Sequence, residues 1–165
     1  MAMKKSIILL AAAALLATAC GDPLGDVIDN TMVVAGNTYT YVLPLYWVEN
    51  GYAHVDVNHP GSGDSIHGFG GFSAEAIGRT INAASDSEAD KALLMSFNFD
   101  GGGSYDMALV SGTQSIRRDG STLIVQIDGR DTNGKRFYLN AYVYEEAEFL
   151  ATHPGGVSAS WRPGD

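Results

Sequence analysis

The feature that most constrains this chain is alternation. In Thr122–Asp128 (TLIVQID) the residues Leu123, Val125 and Ile127 face one way, and in Lys135–Tyr144 (KRFYLNAYVY) Phe137, Leu139, Ala141 and Val143 do the same. Successive side chains of a strand point to opposite faces, so a period of two buries one face and wets the other. Between the two runs lies Gly129–Gly134, which contains Asn133-Gly134. That dipeptide accepts the positive φ that a tight hairpin requires. The segment is therefore predicted to be a hairpin with one apolar face.

The same period recurs upstream. In Asn37–Val48, Tyr39, Tyr41 and Leu43 alternate with Thr38, Thr40 and Val42, until Pro44 predicts a bulge, an edge or a break. Asn50-Gly51 predicts a second hairpin into Tyr52–His59, with Ala53, Val55 and Val57 on one face and Tyr52, His54, Asp56 and Asn58 on the other. A loop at 60–64 leads to a glycine-rich strand, Ser65–Phe72, and further strands are predicted at Leu93–Phe99, Tyr105–Val110 and Thr113–Arg117. Ser73–Ala84 supports two readings. Ala74, Ile77, Ile81 and Ala84 fall at helical spacing after a Ser73 cap, whereas Gly78 and Thr80 favour extended chain. Asp86–Asp90 reads as an acidic loop, and the mixed tail Glu145–Asp165 has Trp161 as its large anchor. The fold class expected is all-β: an antiparallel sandwich or small barrel of about eight strands, with at most one short helix. A chain of 165 residues suits one domain.

The N-terminus follows a different rule. Lys4 and Lys5 precede Ile7–Ala19, an uncharged and mostly apolar run of thirteen residues. A spanning helix needs about 20 apolar residues, so the run reads as a secretory signal. It ends at Leu16-Ala17-Thr18-Ala19-Cys20, where Cys20 is the one cysteine of the chain. This stretch resembles the bacterial lipobox. The resemblance implies a diacylglyceryl thioether and an N-acyl group on Cys20, and two or more chains hold a protein on a bilayer stably. Without lipidation the same residues would direct ordinary cleavage after Ala19. Gly21 after the cysteine favours outer-membrane sorting by the rule of enteric bacteria. The expected organisation is a signal at 1–19, lipidated Cys20 and an acidic tether at 20–30, and a single β domain at 31–165. With a lipobox, a tether and the pattern at Ser111–Tyr144, the chain resembles small β-sandwich lipoproteins of the Bacteroidota, which implies location and architecture but no activity.

Charge and motifs narrow the function. Beyond Ala19 there are eight basic and nineteen acidic residues, a net of −11. Such a domain repels phosphate backbones, so nucleic acid is not an expected partner. Gly63-Asp64-Ser65-Ile66 resembles the nucleophile block of SGNH-type hydrolases, but Leu150 stands three before His153 where their aspartate belongs. Asp128–Gly134 resembles part of a calcium loop, yet Gly129 and Asn140 occupy two ligand positions, and a hairpin turn explains the same residues. Asp100–Asp106 (DGGGSYD) lacks the following helix and lysine of a phosphate loop. His59 and His67 are expected on one face with His54 opposite, too few ligands for zinc. No catalytic set, metal site or cofactor is expected. The speculative ligand contacts are Tyr39, Tyr41, Trp47, Tyr142 and Tyr144, since exposed aromatics stack on sugar rings. The reading is a lipid-anchored, non-enzymatic envelope protein presenting a binding or assembly surface to a glycan or protein. The alternatives are a glycan-binding module or a small hydrolase using Asp56, Asp64 or Asp106.

Overall fold

A computed structural model describes residues 27–58 and 66–154. The expectations for the signal, Cys20, residues 21–26, His59, Asp64 and Trp161 lie outside them. Among the described residues there are ten strands: β1 (Thr31–Val34), β2 (Asn37–Tyr39), β3 (Leu43–Glu49), β4 (Tyr52–Asn58), β5 (Ile66–Ser73), β6 (Arg79–Asn82), β7 (Leu94–Phe99), β8 (Ser104–Asp119), β9 (Thr122–Asp131) and β10 (Arg136–Glu145). One α-helix, α1 (Glu146–Thr152), follows. The all-β expectation holds, and of its two forms the chain takes the barrel.

Closure follows from the pairing. Starting at β10, the ring runs through β3, β4, β5, β7, β8 and β9 and returns to β10. Every pair is antiparallel except β10–β3, where Tyr144 and Glu145 lie parallel to Leu45 and Tyr46. The remaining strands flank the ring: β1 joins β10, β2 joins β1, and β6 joins β8. A closed ring leaves fewer unpaired strand edges than an open sheet of the same length.

The period-two sets fill the interior. Val55, Val57, Phe72, Phe97, Leu123, Val125, Ile127, Phe137, Leu139 and Val143 are all buried in one cluster. Removing side chains of this size from water contributes about 1.5–3 kcal/mol each. Gln114 shares the interior face of β8 and is fully buried, bonded at both ends of its amide. Its Oε1 accepts from the Leu93 N–H at 2.9 Å, and its Nε2 donates to the Lys91 carbonyl at 3.3 Å. The side chain thus ties the segment before β7 to β8.

Small barrels must bend sharply, and glycine supplies the bends. A Cβ on Gly129 would sit 2.0 Å from the Ser111 carbonyl oxygen, and one on Gly70 would sit 2.1 Å from that of Leu94. Neighbouring backbones approach too closely there for any side chain. The stretch predicted as two strands, Tyr105–Val110 and Thr113–Arg117, is the single strand β8. A register shift between Leu109 and Ser111 marks a bulge, so the strand pairs with β7 before it and with β6 beyond it.

The predicted Asn50-Gly51 turn is present, the loop at 60–64 lies outside the described residues, and in Gly129–Gly134 the first three residues extend β9, so that the turn starts at Thr132. Asn50 (φ 52°) and Gly51 (φ 79°) close β3 onto β4, with Glu49 opposite Tyr52. Pro44 is the second residue of β3, after a break in which Tyr41 has φ 61°. A further two-residue turn, Ala35-Gly36, joins β1 and β2 with φ of 52° and 87°. Alanine hides that turn from a sequence reading. Residues 73–84 combine both predicted readings. Ser73 Oγ caps a single 3-10 turn at Ala74–Ala76, Gly78 (φ 83°) ends it, and β6 is extended.

Residues 27–30, predicted as tether, belong to the fold. Asn140 Nδ2 donates to the Val27 carbonyl at 2.8 Å and to Asp29 Oδ1 at 3.1 Å. The Tyr142 N–H donates to Asn30 Oδ1 at 3.0 Å, and the Val42 N–H to the Asn30 carbonyl at 3.0 Å. A strap therefore crosses the outer side of β10.

Candidate functional site

The outer wall of β3, β4, β5, β7 and β8 carries the residues that the barrel does not need inside. Strand register arranges them in rows. One row reads Leu45, Asp56, Phe69, Ser96, Asp106; the next reads Trp47, His54, Gly71, Leu94, Ala108; a third reads Leu43, Asn58, His67, Asn98, Ser104. Adjacent members of a row are about 4.8 Å apart, one strand spacing.

Asp56 is fully buried although it faces outward. Its Oδ2 lies 3.0 Å from His67 Nε2, and its Oδ1 accepts from Asn58 Nδ2 at 2.7 Å. Burying a carboxylate is costly unless donors replace its water, and these donors do so. The hydrogen bond to Asp56 raises the His67 pKa above the usual histidine value; partial burial opposes the rise and the charge of Asp56 reinforces it. Beside this pair, Trp47 and His54 stack with centroids 5.0 Å apart at 12°, and Tyr52 meets His54 edge-on at 5.0 Å. Phe69 lies 6.0 Å from the His67 ring.

Next to Phe69 an open depression of about 400 Å³ runs onto β7 and β8. Phe69, Leu94, Met95 and Ala108 make its apolar part, and Ser96, Asp106 and Thr132 supply oxygen atoms. Leu94 is 52% exposed here, unusual for a leucine amid a sheet. Among the described residues, neither lysine nor arginine lines the depression. Its chemistry suits a ligand with an apolar face and hydroxyl groups, and it disfavours an anion.

The predicted aromatic contacts do not form one platform. Tyr39 is a core residue, because its strand turns that face inward against β1. Tyr41 is exposed in the break before β3. Tyr142 and Tyr144 stand on the outer side of β10, where Tyr144 packs against Phe149 of α1 at 5.7 Å. Trp47 is not among the depression's lining residues, yet it shares the same outer wall through the row containing His54 and Leu94.

The histidine expectation is corrected. His67 pairs with Asn58, so it shares the face of His54 and Asp56 instead of lying opposite His54. Register decides this, and register depends on a loop length that alternation alone cannot set. In the calcium-like segment, the Asp131 carboxylate turns inward. It accepts from the Asn133 N–H at 2.8 Å, the Lys135 N–H at 2.9 Å and the Tyr105 hydroxyl. Those bonds hold the hairpin turn. Among the described residues no group of three His, Cys, Asp or Glu is placed to hold a metal. Gly101–Gly103 connects β7 to β8, with the Gly102 N–H donating to the Phe99 carbonyl at 2.9 Å. Asp56 and Asp106 share a row but stand three strand spacings apart, about 14 Å, and form no convergent pair.

Sequence reasoning passed over Phe69, Leu94, Ser96 and Ala108. Leu94 and Ser96 follow the β7 alternation outward, and that was their one signal. No known protein family, curated protein or solved structure matches the chain.

Proposed function

We propose that the protein is a lipid-anchored envelope protein, held through Cys20, that presents the outer wall of β4, β5, β7 and β8 as a non-catalytic binding surface. The observation that carries the binding role is the depression beside Phe69, an apolar floor bordered by Ser96, Asp106 and Thr132. The anchor rests on the lipobox-like Leu16–Cys20 and the basic leader before it. Replacing Cys20 by alanine is expected to move the protein from the membrane to the soluble fraction. Unchanged membrane retention would refute the anchor.

A neutral glycan is the ligand class that the site's chemistry favours. An aromatic ring covers the C–H face of a pyranose, while carboxylate and hydroxyl oxygens bond its hydroxyl groups. Spacing the polar groups one strand apart, about 4.8 Å, matches the scale of a single sugar ring. The test is calorimetric titration with a panel of neutral and acidic oligosaccharides. Phe69→Ala is expected to weaken binding of a neutral glycan about 3- to 10-fold, the usual worth of an aromatic contact. Binding that is confined to acidic glycans, or is unaffected by Phe69→Ala, would overturn this reading. A hydrolase is less well supported, since Asp56 and Asp106 stand three strand spacings apart, about 14 Å.

A further inference from the structure

We infer that Asp106 sets the specificity of the depression, making it select a glycan that carries a protonated amine over its uncharged counterpart. The inference rests on the glycan reading above and names what that site prefers.

Register places the groups. Phe69 on β5 lies opposite Ser96 on β7, and Ser96 lies opposite Asp106 on β8. Phe69 and Asp106 therefore flank Ser96, two strand spacings or about 9.6 Å apart. Gly70 and Ala108, which line the same hollow, bring almost no side chain to it. A pyranose laid over Ser96 meets an aromatic ring on one flank and a carboxylate on the other.

Asp106 differs from the carboxylates near it. Asp56 is buried and bonded to His67 and Asn58. Asp128 accepts from Arg136 at 2.8 and 2.7 Å, and Asp131 accepts from the Asn133 and Lys135 N–H groups. Asp106 is exposed, and among the described residues no donor engages its carboxylate. The bases of the turn after β9 are directed elsewhere. Arg130 Nη1 donates to the Gly134 carbonyl at 2.9 Å, and Lys135 Nζ lies 5.3 Å from the centre of the Tyr105 ring.

The polar side chains of the depression make an acceptor set. A carboxylate only accepts, and the Ser96 and Thr132 hydroxyls each offer lone pairs. An ammonium group donates three hydrogen bonds and accepts none, so it suits this set better than a hydroxyl, which donates one. Its charge strengthens the bond to the carboxylate. The net of −11 beyond Ala19 draws cations towards the whole domain, and Asp106 is the charged residue of the lining that can recognise one there.

The test is calorimetric titration of the full chain at low salt and pH 6, where an amine of this kind is protonated. The probes are the trisaccharides of glucosamine, N-acetylglucosamine and glucose in the same β linkage. We expect the glucosamine sugar to bind about 2- to 5-fold more tightly than the other two, the worth of an exposed ion pair. Asp106→Asn should abolish that preference. Asp119→Asn, which removes the same charge at the far end of β8, should keep it. Equal affinities in the native protein overturn the inference, as does a preference that survives Asp106→Asn or is lost equally in Asp119→Asn. Phe69→Ala scores the underlying reading separately, since it should weaken all three sugars alike. If all three bind equally and Phe69→Ala weakens them, the glycan reading stands and the inference alone falls. If none binds, both fall.

Discussion

Replacing Asp56 by asparagine isolates the Asp56–His67 pair of the outer wall. In the native protein His67 gains a hydrogen bond and an opposite charge from Asp56, which hold its pKa above the usual histidine value. A histidine stabilised in its charged form contributes stability that is complete below its unfolded pKa of about 6.5 and is lost as pH rises through the folded value. Within that window the slope approaches at most about 1.4 kcal/mol per pH unit for one proton. Asparagine keeps the shape and can still accept from Asn58, but it removes the charge. What remains for His67 is partial burial, which lowers its pKa, so the slope should change sign and stability should rise with pH near neutrality. Two hydrogen bonds to the carboxylate are weakened (3.0 and 2.7 Å), and bonds to a charged group are worth about 1.5–3 kcal/mol. Since asparagine retains part of each, a loss of about 2–3 kcal/mol at pH 6 is expected, or roughly 4–12 °C in Tm for a domain of this size. Urea unfolding of both proteins from pH 5.5 to 8.5, followed by circular dichroism, measures the two slopes. If Asp56→Asn keeps the native slope, the pair does not govern the pH response and the reasoning fails.

Two further perturbations probe the scaffold. Ala35 holds φ 52° in the β1–β2 turn, a region that costs an L-residue with a Cβ about 1–2 kcal/mol. Ala35→Asn should therefore raise Tm by a few degrees, and an unchanged or lower Tm would show that the turn carries no such strain. Gly129→Ala should do the opposite, because its Cβ would meet the Ser111 carbonyl oxygen at 2.0 Å. A loss of about 3 kcal/mol or more is expected in urea unfolding, with the soluble yield falling in parallel.

Particular elements show where sequence reading succeeds. Asn50-Gly51 was legible because two adjacent residues determine a turn's dihedral angles, whereas at Asn133-Gly134 only Gly134 takes a positive φ (73°). The interior sets of β9 and β10 were legible because alternation is a property of the strand itself. The Ala35-Gly36 turn was not, since alanine carries no turn signal and tertiary packing imposes its positive φ. The candidate site was mostly hidden. Asp56 reads as a solvent-facing acid from alternation, yet His67, eleven residues on, and Asn58 enclose it.

By itself the sequence determined the all-β class, the Asn50-Gly51 hairpin and which side chains of β9 and β10 go inward. These depend on periods and dipeptides, which act over a few residues. Tertiary structure alone decided that the strands close into a ring, that β8 bends at a bulge to serve two neighbours, and that Phe69, Ser96 and Asp106 stand side by side. Register across separate strands sets those neighbours, and it is fixed by loop lengths and by glycine-permitted close approach, which no single strand's sequence encodes.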